Sequence, residues 1–302
     1  MTSTTSTPPT ATTRELRPRY EGANIGTWIG FKHVNYLVEE AVLDHLARCG
    51  YPAGALYERY GLCVELVDMD TKIRTALHVD DVVTAVVVPE PDAADELVFR
   101  VRLDVRGETP VKAVRARVRV RLRRDRRAGP AEATPAALEQ YTVDSLRDVP
   151  AGYIRAAGGN TFTWRLRIPY FYCHFTERIQ LSGYLRLLEE TVDRFLADRG
   201  VSIRTLLDGQ NWIPVVPRSR VELLDEALLE EELHVVFTVD EVFKRLTYTA
   251  TMDCFVVRDG REVPTATGSI THGYALIGTR RDWAVVGFDD RLLAALSQTP
   301  GR

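Results

Sequence analysis

Side chains able to carry a proton near neutral pH are few in this chain, which has six histidines. His174 stands in YFYCHFTER, bracketed by Tyr170, Phe171, Tyr172 and Phe175. An imidazole titrates close to neutrality and serves as a general base, and aromatic neighbours exclude water from it. The same bracket also suits a histidine packed in a core with its ring nitrogens bonded to backbone. Glu177, three residues on, is either a catalytic carboxylate or one that favours the positive end of a helix. Two acid pairs, Glu39–Glu40 and Glu189–Glu190, recur along the chain. A single buried glutamate of one pair facing His174 is the arrangement expected to do acid–base chemistry, so the catalytic candidates are His174, Glu177, Glu39 and Glu40. Asn24 can only hydrogen-bond or orient. Thr27 suits a helix N-cap or a donor to a developing oxyanion. Trp28 and Tyr172 are candidates to line a substrate pocket, with plain core packing as the alternative. Cys49, Cys63, Cys173 and Cys254 are widely spaced, with no CxxC pair and no Cys/His cluster of zinc spacing. No metal and no cofactor are expected.

These residues sit in a repeat. Displaced by 150 residues, Arg17–Gly50 and Arg167–Gly200 share ten of 34 positions without a gap, among them Tyr20/Tyr170, Leu37/Leu187, Glu39/Glu189, Glu40/Glu190, Val42/Val192 and Gly50/Gly200. In each copy apolar residues fall at helical spacing: Leu37, Val38, Ala41, Val42 and Leu46, then Tyr184, Leu187, Leu188, Val192, Phe195 and Leu196. The terminal glycine suits a left-handed C-cap. Helices are predicted near Gly30–Cys49 and Leu181–Arg199, packed side by side.

Strands follow each helix. In Val111–Asp125, Val114, Ala116, Val118, Val120 and Leu122 alternate with Arg115, Arg117, Arg119, Arg121 and Arg123, a period of two with an arginine face read as solvated. That face is also a candidate for meeting an acidic or phosphorylated partner. In the second copy Leu246 to Val256 alternates likewise, and RDGREV makes a hairpin. The predicted organisation is a disordered leader over 1–16, an α+β half over 17–124, a linker over 125–160 and a second α+β half over 161–302.

Composition narrows the function classes. The chain has 302 residues, a net charge of −3 and 45% hydrophobic residues, the profile of a globular protein. That charge argues against nucleic acid as a partner, and no apolar run approaches the ~20 residues of a membrane helix. The Thr-, Ser- and Pro-rich start lacks the apolar core of a secretory signal, so a cytoplasmic location is expected.

One long helix followed by a twisted antiparallel sheet is the plan of the hot-dog fold. YLRLLEETVDRFLADRG (Tyr184–Gly200) resembles the central helix of hot-dog acyl-thioesterases, and FKHVNYLVEEAVLDHL (Phe31–Leu46) is a looser version. The chain is therefore identified as a double hot-dog of the thioesterase/dehydratase type. The resemblance implies two long central helices, each wrapped by sheet, and acyl-thioester sites at the seams between the paired halves. There the amides at a helix N-terminus polarise the thioester carbonyl. The 4-hydroxybenzoyl-CoA-type branch keeps a catalytic aspartate fifteen residues before the acid pair. Counting back fifteen lands on His174 from Glu189 and on Asn24 from Glu39. Only the His174 seam is expected to offer an ionisable group, so only one seam is expected to be active.

The resemblance implies an acyl-thioester hydrolase acting on a coenzyme A or acyl-carrier-protein substrate. The abundance of arginine hints at a GC-rich bacterial genome, which makes polyketide or other specialised metabolism conceivable. Dehydration or hydration of a β-hydroxyacyl thioester is an alternative, because it too uses a histidine with an acid across the pair. The absence of H-x-x-x-G-x-x-x-x-P and G-H-F-P-G sequences puts it second. A non-catalytic module holding an acyl or aromatic ligand is the third reading. A homodimer or higher oligomer is compatible with each.

Overall fold

The two long helices form where apolar residues recur on one face. In the computed structural model, which describes residues 10–90, 96–130, 132–147, 160–276 and 285–297, α1 spans Phe31–Arg48 and α4 spans Leu181–Asp198. Val34, Leu37, Val38, Ala41, Val42 and Leu46 are buried along α1, and Tyr184, Leu185, Leu187, Leu188, Val192, Phe195 and Leu196 along α4. Burying each large apolar side chain contributes roughly 1.5–3 kcal/mol. Both helices stop where Gly50 and Gly200 turn into the left-handed region, at φ 92° and 73°.

The repeat holds through the rest of each half. The first half runs β1 (Thr12–Leu16), α1, α2 (Ala53–Tyr60), β2 (Leu62–Ile73), β3 (Val83–Glu90), β4 (Leu97–Val105) and β5 (Val111–Arg124). After α3 (Ala136–Glu139) and β6 (Thr142–Val143), the second runs β7 (Thr161–Arg167), α4, α5 (Ile203–Gln210), β8 (Trp212–Leu223), β9 (Glu232–Phe243), β10 (Thr247–Arg258) and β11 (Arg261–Leu276), closed by α6 (Asp290–Ser297). The starts of α1 and α4, α2 and α5, β2 and β8, and β5 and β11 all lie 150 residues apart.

One sheet carries both halves, in the order β1-β3-β4-β5-β2-β8-β11-β10-β9-β7, with β6 beside β5. Among the described residues only the β5–β6 pairing is parallel. The halves meet at β2–β8, where Asp70 faces Arg220, its own counterpart in the repeat. Arg218 holds Asp70 through two bonds of 3.0 and 2.7 Å, and Arg220 Nε reaches Asp68 at 2.8 Å. The helices are tied above this seam, where Arg186 donates to the Tyr36 hydroxyl at 2.9 Å and that hydroxyl donates to the Ser182 carbonyl at 3.3 Å.

Three expectations change. Thr12–Leu16, assigned to the leader, is a strand paired with β3; residues 1–9 lie outside the described part. The linker is not structureless, for α3 and β6 lie within it and Leu138 packs with Leu56, Leu62 and Leu122. The arginine face of β5 is solvated only at its start. Arg115 and Arg117 are exposed, whereas Arg119 bonds Asp68, Glu96 and Glu222 and Arg123 is buried. The strand enters the seam as it runs, so a uniform sequence pattern meets a changing environment.

Candidate functional site

Two seams flank the helix pair, and the repeat makes them equivalent. The first lies at the N-terminus of α1 and the second at that of α4.

At the second seam His174 follows a short 3-10 turn at Tyr170–Tyr172. The next residue, Phe175, has φ 68°, a strained conformation for a bulky side chain. Phe175 packs edge-on against Tyr57, with ring centroids 5.2 Å apart. That bend sets His174 Nε2 2.9 Å from the Ser182 hydroxyl, in the first turn of α4. Glu39 reaches in from α1, and together with Leu43, Leu66, Leu181 and Gln180 these residues line a chamber of about 170 Å³. Burial, then the charge of Arg186, lowers the His174 pKa below 6.5, so the ring is neutral at pH 7. Burial, then the neighbouring Glu40, raises Glu39 to about 7. No side chain caps α4, and the Leu181 and Ser182 amides have no backbone acceptor among the described residues. Such amides favour a negative oxygen.

An ion pair walls this chamber. Arg178 and Glu65, 3% and 2% exposed, bond each other. Glu65 lines the chamber, and Arg178 lines a polar cavity of about 560 Å³ with Arg123, Arg126, Arg127, Arg147 and Arg258. Glu177 belongs to that cavity, paired with Arg127 at 3.1 Å. It precedes α4 by four residues and is not in its first turn. Glu40 is exposed on α1.

The first seam is undivided. Trp28 and Val215 stand where Arg178 and Glu65 stand in the other copy, and the space is one cavity of about 910 Å³ with mostly apolar walls. Asn24 and Tyr172 line it too. Asn24 Oδ1 would lie 2.7 Å from any β-carbon at residue 30, so a side chain at the N-cap of α1 would make Asn24 move. The Tyr172 hydroxyl donates to Glu190 at 2.8 Å. Thr27 neither caps α1 nor lines the cavity; its hydroxyl pairs with His78 Nδ1 at 3.0 Å. The expectation that this seam lacks ionisable groups is wrong, since Glu189, Asp193, Lys32 and His272 line it. Glu189, the counterpart of Glu39, is bonded by Lys32 at 2.6 Å. Serine replaces that lysine at position 182, so Glu39 lacks the direct cation partner that Glu189 has, and Arg186 is the positive charge that acts on it. The seams therefore differ in size and in pairing rather than in whether they ionise.

His272 is 3% exposed, lies beside Tyr248 and Tyr274, and has no hydrogen-bond partner at Nδ1 among the described residues. Burial lowers its pKa from 6.5 to about 3. The unfolded chain therefore takes up this proton first as pH falls. The contribution of the neutral ring is complete above 6.5 and declines by about 1.4 kcal/mol per pH unit from there towards 3. His272→Phe is expected to remove that slope, as read from urea midpoints at pH 7, 5.5 and 4.5; an unchanged slope would refute the assignment.

The sequence singled out His174 and Glu39, which one chamber brings together. Asn24, Trp28 and Tyr172 gather at the other seam. Ser182, Arg178, Glu65 and Lys32 were not singled out. Ser182 carried a faint signal, since the repeat breaks there from lysine to serine at a helix start.

Three solved structures with a similar fold carry the names of thioesterases. The chain resembles the 12:0-ACP thioesterase from Umbellularia californica at a TM-score of 0.61 and 12% identity, covering 87% of this chain and 94% of that one. The putative oleoyl thioesterase from Lactobacillus plantarum gives 0.59 and 13%, covering 87% and 94%. The acyl-ACP thioesterase from Bacteroides thetaiotaomicron gives 0.57 and 12%, covering 87% and 98%. The chain is a double hot-dog. No family model and no curated protein matches its sequence. At such identities the likeness speaks for the fold, and the chemistry of this double hot-dog is argued from its own seams. No helix among the described residues is long and apolar enough to cross a membrane.

Proposed function

We propose that this double hot-dog is an acyl-thioester hydrolase whose reaction centre is the chamber at the N-terminus of α4. The observation that carries the reading is the meeting of His174 from one half and Glu39 from the other at an uncapped helix end. A neutral imidazole accepts a proton at pH 7, and a carboxyl with a pKa of about 7 donates or accepts one. The free amides of α4 stabilise the oxyanion that forms when the thioester carbonyl is attacked. The polar cavity beyond the Arg178–Glu65 wall holds six arginines, partly offset by five carboxylates, and its cations are the groups offered to the phosphates of a coenzyme A or carrier-bound pantetheine arm.

Chamber size sets the substrate. A cavity of about 150 Å³ holds a benzene ring, so the 170 Å³ chamber takes an acyl group of up to about eight carbons, aliphatic or aromatic. Among acyl-CoA and acyl-carrier thioesters, thiol release is expected to peak at butyryl to benzoyl and to fall for dodecanoyl. A preference for long chains would move the acyl site to the 910 Å³ cavity, the second reading, which its size and apolar walls favour. Mass spectrometry of the same reactions reports β-hydroxyacyl dehydration as loss of water without thiol release. Tight binding with neither product would make the protein a ligand-holding module.

A further inference from the structure

We infer that Ser182 is the nucleophile of this centre and that the reaction passes through an acyl ester on its hydroxyl. This deepens the hydrolase reading and rests on its choice of seam. A serine hydroxyl attacks a carbonyl only with a base within hydrogen-bond reach, and His174 Nε2 is 2.9 Å away. Both residues line the chamber. The serine is not dictated by the helix start, because the equivalent position in α1 is Lys32, whose ammonium is occupied by Glu189. Nor does Ser182 cap its helix. Its own amide, without a backbone acceptor among the described residues, is placed to receive the oxyanion created by attack from its side chain.

The steps balance without a co-reactant beyond water. The Ser182 hydroxyl gives its proton to His174 Nε2 as Oγ bonds the thioester carbon. The carbon–sulfur bond then breaks, and His174 returns that proton to the departing sulfur. Water attacks the acyl ester and gives a proton to His174. The carbon–Oγ bond breaks, Oγ recovers the proton, and the acid leaves. The thioester's leaving group and the nucleophile thus use one base in turn.

The test uses the full chain with p-nitrophenyl acetate and with butyryl-CoA. Expected are a burst of p-nitrophenolate equal to the enzyme concentration and one acetyl group on the peptide bearing Ser182. A butyryl adduct should appear on the same residue in quenched reactions. Ser182→Ala should lose both adducts and at least ~10³-fold in turnover at unchanged melting temperature, and Ser182→Cys should regain a burst. Thiol release without any adduct, with Ser182→Ala within tenfold of the parent, would overturn the nucleophile and leave the hydrolase standing on direct attack by water. Acetylation of Ser182 with no thioester turned over would sink the hydrolase and keep the nucleophile. Neither adduct nor thiol release would sink both.

Discussion

His174→Ala is expected to lower thioester turnover by about 10²–10⁴, the usual contribution of a positioned general base, at an unchanged melting temperature. The ring is neutral because burial and Arg186 oppose its charge, and it bonds Ser182 in a chamber that Glu39 shares. Its segment is held by the strained Phe175 and that residue's contact with Tyr57, so removing the ring leaves the backbone path supported. Steady-state kinetics beside a thermal melt decide the matter. Near-normal activity in a folded variant would move the site to the larger cavity, and a variant that does not fold would make His174 a packing residue.

Arg178→Met is expected to cost about 3–5 kcal/mol, because it strands a buried carboxylate. Glu65 is 2% exposed, and its other cation, Arg123, is 3.9 Å away. Replacing both partners, Glu65→Leu with Arg178→Met, should restore most of the loss, since an apolar pair of similar volume carries no desolvation cost. Urea midpoints of the single and double variants read this directly. The pair also divides the second seam, so the double variant should accept longer acyl chains than the parent. A single variant as stable as the parent would show that Glu65 sheds its charge or finds water instead.

The fold was legible where it depends on local periodicity. The helical spacing around Leu37–Leu46 and Leu187–Leu196, with a glycine after each, placed α1 and α4. The alternation of Val114–Leu122 gave β5. What was missed depends on partners distant in sequence. Thr12–Leu16 has little strand character alone and becomes one by pairing with Val83–Val87. The arginines of β5 look alike in sequence, yet Arg123 is buried because a neighbouring half covers it. At the site, His174 and Glu39 stood out by type and by the repeat. Ser182 did not, because its meaning comes from a bend at Phe175 that no propensity announces. Thr27 looked like a cap by its type and its place just ahead of the expected helix, whereas Gly30 holds the N-cap position.

The charges on the central strands bear on how the duplication is held. Positions that carry Asp68 and Asp70 in one half carry Arg218 and Arg220 in the other, and the register at Asp70/Arg220 sets like positions face to face. At that central position a first half docked on another first half would set Asp70 against Asp70, and two second halves would set Arg220 against Arg220, whereas the flanking positions would still pair acid with base. The central Asp70/Arg220 position thus favours the mixed pairing over either like one. Once pairing is mixed, one seam can keep a divided chamber with an unpaired glutamate while the other opens into an apolar hall, a division of labour that two identical subunits cannot encode.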